Sequence, residues 1–376
     1  MDYLKMIREI ERLYPPERIA RSKARLKAVW ELKRPPDRIP FVFGWLPPET
    51  EEPELGVWEG TCTNEESLGV QLESIIDRAA LDDDYVPALF PGCRQGTIPT
   101  AYGAEEERNG KHMWVKPMLR DAKDVYELGR PDFTREGVAA EFLERVRFFR
   151  AATQGRMPIQ LADMQGPLDL ASNMWGSEPL LEAMYTDPDA VHHLLQMMTD
   201  AFIDFARLLQ EAAEGDLIPI HCLPIVWMPP ERGMALSEDL VVLVSPKLYK
   251  VFGRPYNEQI ADTFGGVVIH SCGSTEHNLE ILAGTRHLMG VNLSVTETAL
   301  PAIVDALGKN AVALTHFGEV TCNDLPALTP EEHLRLCMTT FKEKDVRGIV
   351  FVMPLETTRE EVLALNPLAL DWARLE

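Results

Sequence analysis

The sequence predicts an α/β protein: a (β/α)8 TIM barrel with an N-terminal helical extension and long insertions after its first and second strands. Three observations predict it. Short apolar runs alternate with longer segments of helical periodicity; the runs are apolar throughout, as strands buried on both faces are; and there are eight of them, the number that closes such a barrel. They are Ile39 to Trp45, Tyr85 to Phe90, Met157 to Asp163, Leu217 to Cys222, Val267 to Ser271, Leu288 to Ser294, Ala311 to Phe317 and Gly348 to Met353.

Taken in order, residues 1–37 read as helices outside the barrel, closed by the Pro35-Pro36 pair. The stretches Leu46 to Asp84 and Pro91 to Gly155 are too long for ordinary βα loops and are expected to roof the barrel mouth. Within the second, Arg108-Asn109-Gly110-Lys111, flanked by Ala101-Tyr102 and Met113-Trp114-Val115, signals a two-residue hairpin. Between Asp187 and Gly215 the positions Val191, Leu194, Leu195, Met198, Phe202, Phe205 and Leu209 keep helical spacing, with Asp187 as cap, Pro188 in the first turn and Gly215 as terminator. Thr329-Pro330-Glu331-Glu332 reads as a capping box, and Thr358 with Glu361 repeats it after the last strand. With no repeat or flexible linker, residues 1–376 are expected to form a single domain.

The net charge of -22 and a pI near 4.9 exclude a nucleic-acid or anionic-membrane binder, which needs a concentrated basic face. No apolar run reaches the roughly 20 residues of a membrane span, and Met1-Asp2-Tyr3-Leu4-Lys5 lacks the build of a secretion signal, so a cytoplasmic protein is expected. Six scattered cysteines (Cys62, Cys93, Cys222, Cys272, Cys322, Cys337) suit reduced thiols; Cys337 shares a helical stripe with Leu334, Met338 and Phe341 and reads as core.

In a barrel, chemistry sits at the carboxyl ends of the strands. There the sequence places Asp163-Met164-Gln165-Gly166-Pro167, His221-Cys222, His270-Ser271-Cys272-Gly273, Thr296-Glu297-Thr298, His316-Phe317-Gly318-Glu319 and, after the last strand, Glu356. His270 and Cys272, two apart on one strand, point to the same side and suit zinc, with Glu297 on the neighbouring strand as a candidate third ligand and a fourth position left open, as in catalytic zinc sites. A core histidine beside a core cysteine is the commoner meaning of a lone H-x-C, and His221, His316 and Cys322 each have that plainer reading too. Convergence on one mouth is what favours the metal. Phosphate-binding glycine loops, G-x-S-x-G, H-E-x-x-H and dinucleotide fingerprints are missing.

At these residues the chain resembles the uroporphyrinogen decarboxylase superfamily, which also holds zinc methyltransferases acting on methylcobalamin and, more distantly, cobalamin-independent methionine synthases. The resemblance rests on Asp37-Arg38-Ile39-Pro40, Ala101-Tyr102-Gly103-Ala104, Asp163 to Pro167, Ser237-Glu238-Asp239 through Ser245-Pro246 to Pro255-Tyr256, and Ile269 to Gly273. The decarboxylases typically carry R-Q-A-G-R early in the chain to hold substrate carboxylates; here Phe43-Gly44-Trp45-Leu46-Pro47-Pro48-Glu49 has no arginine, and an octa-acid substrate needs guanidinium partners. The methyltransferase branch is similar in its H-x-C pair, but its further cysteine lies just after the last strand, where this chain has Met353-Pro354-Leu355-Glu356. Glu356, Glu297 or Cys322 then completes the site, or the metal has been lost.

The resemblance implies a zinc-dependent methyltransferase that moves methyl between a corrinoid, or a related donor, and a thiol. Its metal ligands are expected among His270, Cys272, Glu297 and Glu356, with Asp163 and His316 orienting the reactants and Gln165, Trp45 and His221 lining the cofactor space. A small-molecule substrate and a corrinoid protein are the expected partners. The alternatives are uroporphyrinogen decarboxylase, a metal-independent lyase, and a non-catalytic corrinoid-binding relative.

Overall fold

The computed structural model describes residues 1–44, 56–109, 112–221, 226–318, 320–344, 348–352 and 359–375. The N-terminal extension forms the expected helices, Tyr3–Leu13 and Pro16–Trp30. The second begins on Pro16, whose fixed φ and missing N–H suit a first turn, and buries Leu26, Val29 and Trp30. It is pinned by charge as well. Arg25 reaches both Asp37 and the fully buried Asp84, and Asp84 also takes Arg38 Nη1 (2.7 Å) and the Phe41 N–H (3.1 Å). One carboxylate thereby ties the extension to the start of the first strand.

The strands are β1 (Phe41–Val42), β2 (Glu106–Asn109), β3 (His112–Val115), β4 (Ile159–Gln160), β5 (Leu217–Ile218), β6 (Met234–Ser237), β7 (Val267–Ser271), β8 (Leu288–Ser294), β9 (Val312–His316) and β10 (Ile349–Val352). The α/β class with parallel strands is as predicted. Six strands pair in parallel in the order β1-β10-β9-β8-β7-β6, and β4 pairs in parallel with β5.

These ladders do not draw a single closed ring of eight. Residues 85–90 make only an isolated bridge, Leu89 to Ile159, built on Leu89 N–H to Pro158 O (2.9 Å) and Gln160 N–H to Leu89 O (2.7 Å), and the joins from β1 to this stretch and from β5 to β6 show one backbone bond each: Asp84 N–H to Phe41 O (2.8 Å) and Ala235 N–H to Pro219 O (2.9 Å). Two-residue strands such as β4 and β5 leave little ladder to extend. The strand β6 is an addition to the predicted set.

The insertions carry helices Asn64–Asp77 and Gly137–Thr153 and the antiparallel β2–β3 hairpin. Its first strand is Glu106–Asn109, because Pro99–Tyr102 turns as a 3-10 helix; residues 110 and 111 of the expected turn lie outside the described residues. The long helix Pro188–Ala212 buries all seven positions of its predicted stripe, and Gly215 follows it at φ +81°. Asp187 stands at its N-cap without a side-chain cap bond. Thr329 and Glu332 form the predicted capping box of Pro330–Glu343, where Cys337 is buried; Thr358 of the second box lies outside the described residues. No helix among the described residues is long and apolar enough to cross a membrane.

Removing Asp84 leaves two largely buried guanidinium groups short of a carboxylate, so Asp84→Ala is expected to cost about 3–5 kcal/mol, read as a lower urea midpoint with an unchanged slope. A midpoint within error of the parent would contradict the pinning role.

Candidate metal centre

Strand register builds the site. In the ladders Ser237 faces His270, His270 faces Asn292, and Asn292 faces Leu314, one row across β6, β7, β8 and β9 at the carboxyl ends. Residues so paired project to the same side of a sheet. The row continues beyond β6, where Ser237 Oγ donates to Asp163 Oδ2 (3.0 Å).

One carbonyl fixes the chemistry of the central histidine. Leu314 O can only accept, so the Asn292 amide turns its Nδ2 toward it (2.9 Å) and its Oδ1 toward His270 Nδ1 (2.7 Å). In its neutral form, the one a metal binds, His270 therefore carries its proton on Nδ1 and presents the Nε2 lone pair, 3.4 Å from Cys272 Sγ. The same amide donates to His316 Nδ1 (3.3 Å), leaving His316 with a proton on Nε2.

The third group is Asp239. Its carboxylate, His270 and Cys272 offer oxygen, nitrogen and sulfur atoms all within 4.8 Å of one another, and Asp239 Oδ1 accepts the Cys272 N–H at 2.7 Å. Asp239 is itself held by Asp169, whose two oxygens take the N–H groups of Asp239 (2.6 Å) and Leu240 (2.7 Å). Glu238 N–H bonds to His270 O (2.8 Å), and its buried carboxylate accepts from Tyr249 Oη (2.7 Å) and Asn257. Gly166 lies so close to this segment that an added Cβ would meet Ser237 O at 2.7 Å.

Asp163 is the other focus. Its carboxylate accepts from Ser237, the Cys93 thiol (3.4 Å), the Gln165 N–H (3.0 Å) and Gln165 Nε2 (3.5 Å). Gln165 makes the two latter contacts from a left-handed backbone, φ 62°, a conformation that costs a non-glycine residue about 1–3 kcal/mol.

Electrostatics divide the histidines. Burial alone would lower the His270 pKa, but Cys272 and Asp239 beside it outweigh that and raise it to about 10. Burial and the neighbouring His270 push His316 down to about 3. Burial works to raise Asp163, yet His221 and His270 hold it below the usual carboxylate range. Burial and Asp239 raise Asp169, and burial raises Glu238 to about 7. Among the described residues, Asp163, Asp169, Glu238 and Asp239 form no ion pair with lysine or arginine. A divalent cation at His270, Cys272 and Asp239 would supply the missing positive charge, and the mixed nitrogen, sulfur and oxygen donors suit zinc.

Of the residues singled out in the sequence, the structure gathers Asp163, Gln165, His221, His270, Cys272 and His316. The rings of His221 and His316 stand 5.9 and 5.8 Å from that of His270. Glu297 sits in the turn after β8 and Cys322 bonds through its N–H to Thr296 O; neither is in the converging trio. Trp45, Cys222, Glu319 and Glu356 lie outside the described residues. Asp239, Asp169, Asn292 and Cys93 were not singled out as site residues from the sequence, although Asp239 lies in one of the resembling stretches.

A family model described as "Uroporphyrinogen decarboxylase (URO-D)" matches residues 23–220. The chain belongs to the uroporphyrinogen decarboxylase family. Curated relatives in this family include uroporphyrinogen decarboxylases of Xanthomonas axonopodis pv. citri, 28% identical over 172 residues (44% of this chain, 43% of the relative), and of Xanthomonas campestris pv. campestris strain B100, 26% identical over 215 residues (53% and 55%). The chain spans about half the length of these relatives. Among solved structures, a methyltransferase from Methanosarcina mazei matches with a TM-score of 0.65 at 18% identity, over 92% of this chain and 96% of that one. That likeness concerns the fold alone.

If Asp169 positions the 239–240 segment, Asp169→Asn should speed hydrogen exchange at the Asp239 and Leu240 amides at least about tenfold, since one of two accepting oxygens becomes a donor. Unchanged exchange there would rule the clamp out.

Proposed function

We propose that this chain is a zinc-dependent methyltransferase that moves a methyl group between a corrinoid, or a related methyl donor, and a thiol or similar acceptor. The observation that carries this reading is the convergence of His270 Nε2, Cys272 Sγ and an Asp239 oxygen at the open end of the strands. A zinc ion held there would lower the pKa of a bound thiol, so that the acceptor is a thiolate at neutral pH. Transfer itself forms a carbon–sulfur bond as the donor's bond to methyl breaks, with its electron pair left on the donor.

The chain's own residues prepare that exchange. Asn292 keeps Nε2 of neutral His270 facing the mouth, and Asp239, steadied by Asp169, offers a carboxylate oxygen beside it. Cys272 is solvent-exposed, which leaves an approach for an acceptor. His316, kept neutral by burial, offers an Nε2–H donor, and the ionised Asp163 an acceptor, for orienting the reactants. Gln165 and His221 stand beside them as lining for the donor. Glu297 and Glu356 remain candidates for a further ligand. A small-molecule substrate, a corrinoid protein partner and a cytoplasmic setting belong to this reading.

The second reading is uroporphyrinogen decarboxylation, favoured by the names of the curated relatives. Against it stand the missing arginines between Phe43 and Glu49 and the supply of carboxylates rather than cations around His270.

Elemental analysis of the purified chain is expected to find about one zinc per molecule, most of it lost in Cys272→Ala and in Asp239→Ala, with no turnover of uroporphyrinogen. Full zinc retention in Cys272→Ala, or decarboxylation by a metal-free preparation, would overturn the proposal.

A further inference from the structure

We infer that the acceptor taken at this mouth carries no anionic group and is a small neutral or cationic thiol. The inference rests on the methyl-transfer reading and concerns the charge of the space around it.

Carboxyl groups crowd that space. Asp239 and Asp163 face the row of histidines, Asp169 and Glu238 lie directly behind Asp239, Glu297 sits in the turn after β8, and Glu276 follows Cys272 on its loop. A divalent ion with the Cys272 thiolate and the Asp239 carboxylate is formally neutral, so it leaves Asp163 uncompensated rather than reversing the sign of the site.

The arginines on the side of residues 91–94 are already engaged. Arg94 pairs with Glu106 and Glu141, and its side chain is 12% exposed. Arg145 is held by Asn64 Oδ1 (2.9 Å) and by the carbonyls of Pro91 (3.0 Å) and Cys62. Among the described residues, no lysine or arginine hydrogen-bonds or pairs with Asp163, Asp239 or Glu297.

Two exposed apolar side chains stand on the loops that carry these groups. Leu243, 61% exposed, follows Val242, whose side chain packs against Gly273; Val320, also 61% exposed, lies two residues before Cys322, whose N–H is fixed to Thr296 O. A sulfonate or carboxylate on the acceptor would lose its hydration there and gain no cation in return. An ammonium or hydroxyl group meets carboxylates that can receive it.

The test uses cobalt(II)-substituted full-length protein and three thiols of equal chain length: 2-mercaptoethylamine, 2-mercaptoethanol and 2-mercaptoethanesulfonate. Binding is read from the cobalt–thiolate charge-transfer band, with each constant referred to the thiolate concentration. At low salt the amine is expected to bind about tenfold or more tightly than the sulfonate, with the alcohol between them, and the spread should shrink as ionic strength rises. Equal binding, or a preference for the sulfonate, overturns the inference while leaving the metal centre and the methyl-transfer reading standing. A cobalt-loaded protein that shows no thiolate band with any of the three overturns both.

Discussion

The bond between the Asn292 side chain and the Leu314 carbonyl is a small interaction on which the whole site turns. Because that carbonyl can only accept, it orients the amide, and the amide in turn sets the tautomer of His270 and of His316. The arrangement is available only because parallel register places Asn292 between His270 and Leu314 on adjacent strands. A slip of one residue would send the asparagine to the other face and leave His270 free to protonate either nitrogen. The fold therefore does more than gather polar residues at one end. It determines which atom of each is available.

Around this row the protein has gathered buried carboxyl groups that, among the described residues, no arginine or lysine pairs. Such an arrangement is costly in a folded chain unless something positive completes it. Asp169 illustrates the point: burial and the neighbouring Asp239 and Glu238 raise its pKa, against the two backbone N–H groups that its oxygens accept, and a cation nearby would favour its ionised form. The same reasoning separates this chain from a barrel built to hold a polycarboxylate. A shared family architecture with carboxylates in place of guanidinium groups around the mouth fits a metal and an uncharged or cationic ligand.

The class of fold was legible because strands buried on both faces are apolar throughout, and helices such as Pro188–Ala212 keep an unbroken stripe. Closure was less legible: Tyr85 to Phe90 has a strand's composition, yet only Leu89 finds a bridge partner there. The strand Met234–Ser237 was missed because four residues following Pro229-Pro230 and Gly233 carry too short a period to stand out. That omission hid Asp239, which follows directly on β6 and looks in sequence like a solvent-facing carboxylate. Asn292 was hidden differently, since an asparagine inside an apolar strand announces its role only once the neighbouring strands are in register. Local spacing was enough to single out His270 and Cys272; the groups that orient them come from segments roughly twenty to one hundred residues away, where no spacing rule reaches.

On the methyl-transfer reading, His270, Cys272 and Asp239 together hold zinc. X-ray absorption at the zinc edge of the purified protein tests it most directly. One sulfur at about 2.3 Å and nitrogen or oxygen neighbours at about 2.0–2.1 Å, with most of the zinc signal lost in Asp239→Ala, is expected. Two or more sulfurs in the shell, or a spectrum indifferent to the loss of Asp239, would contradict it.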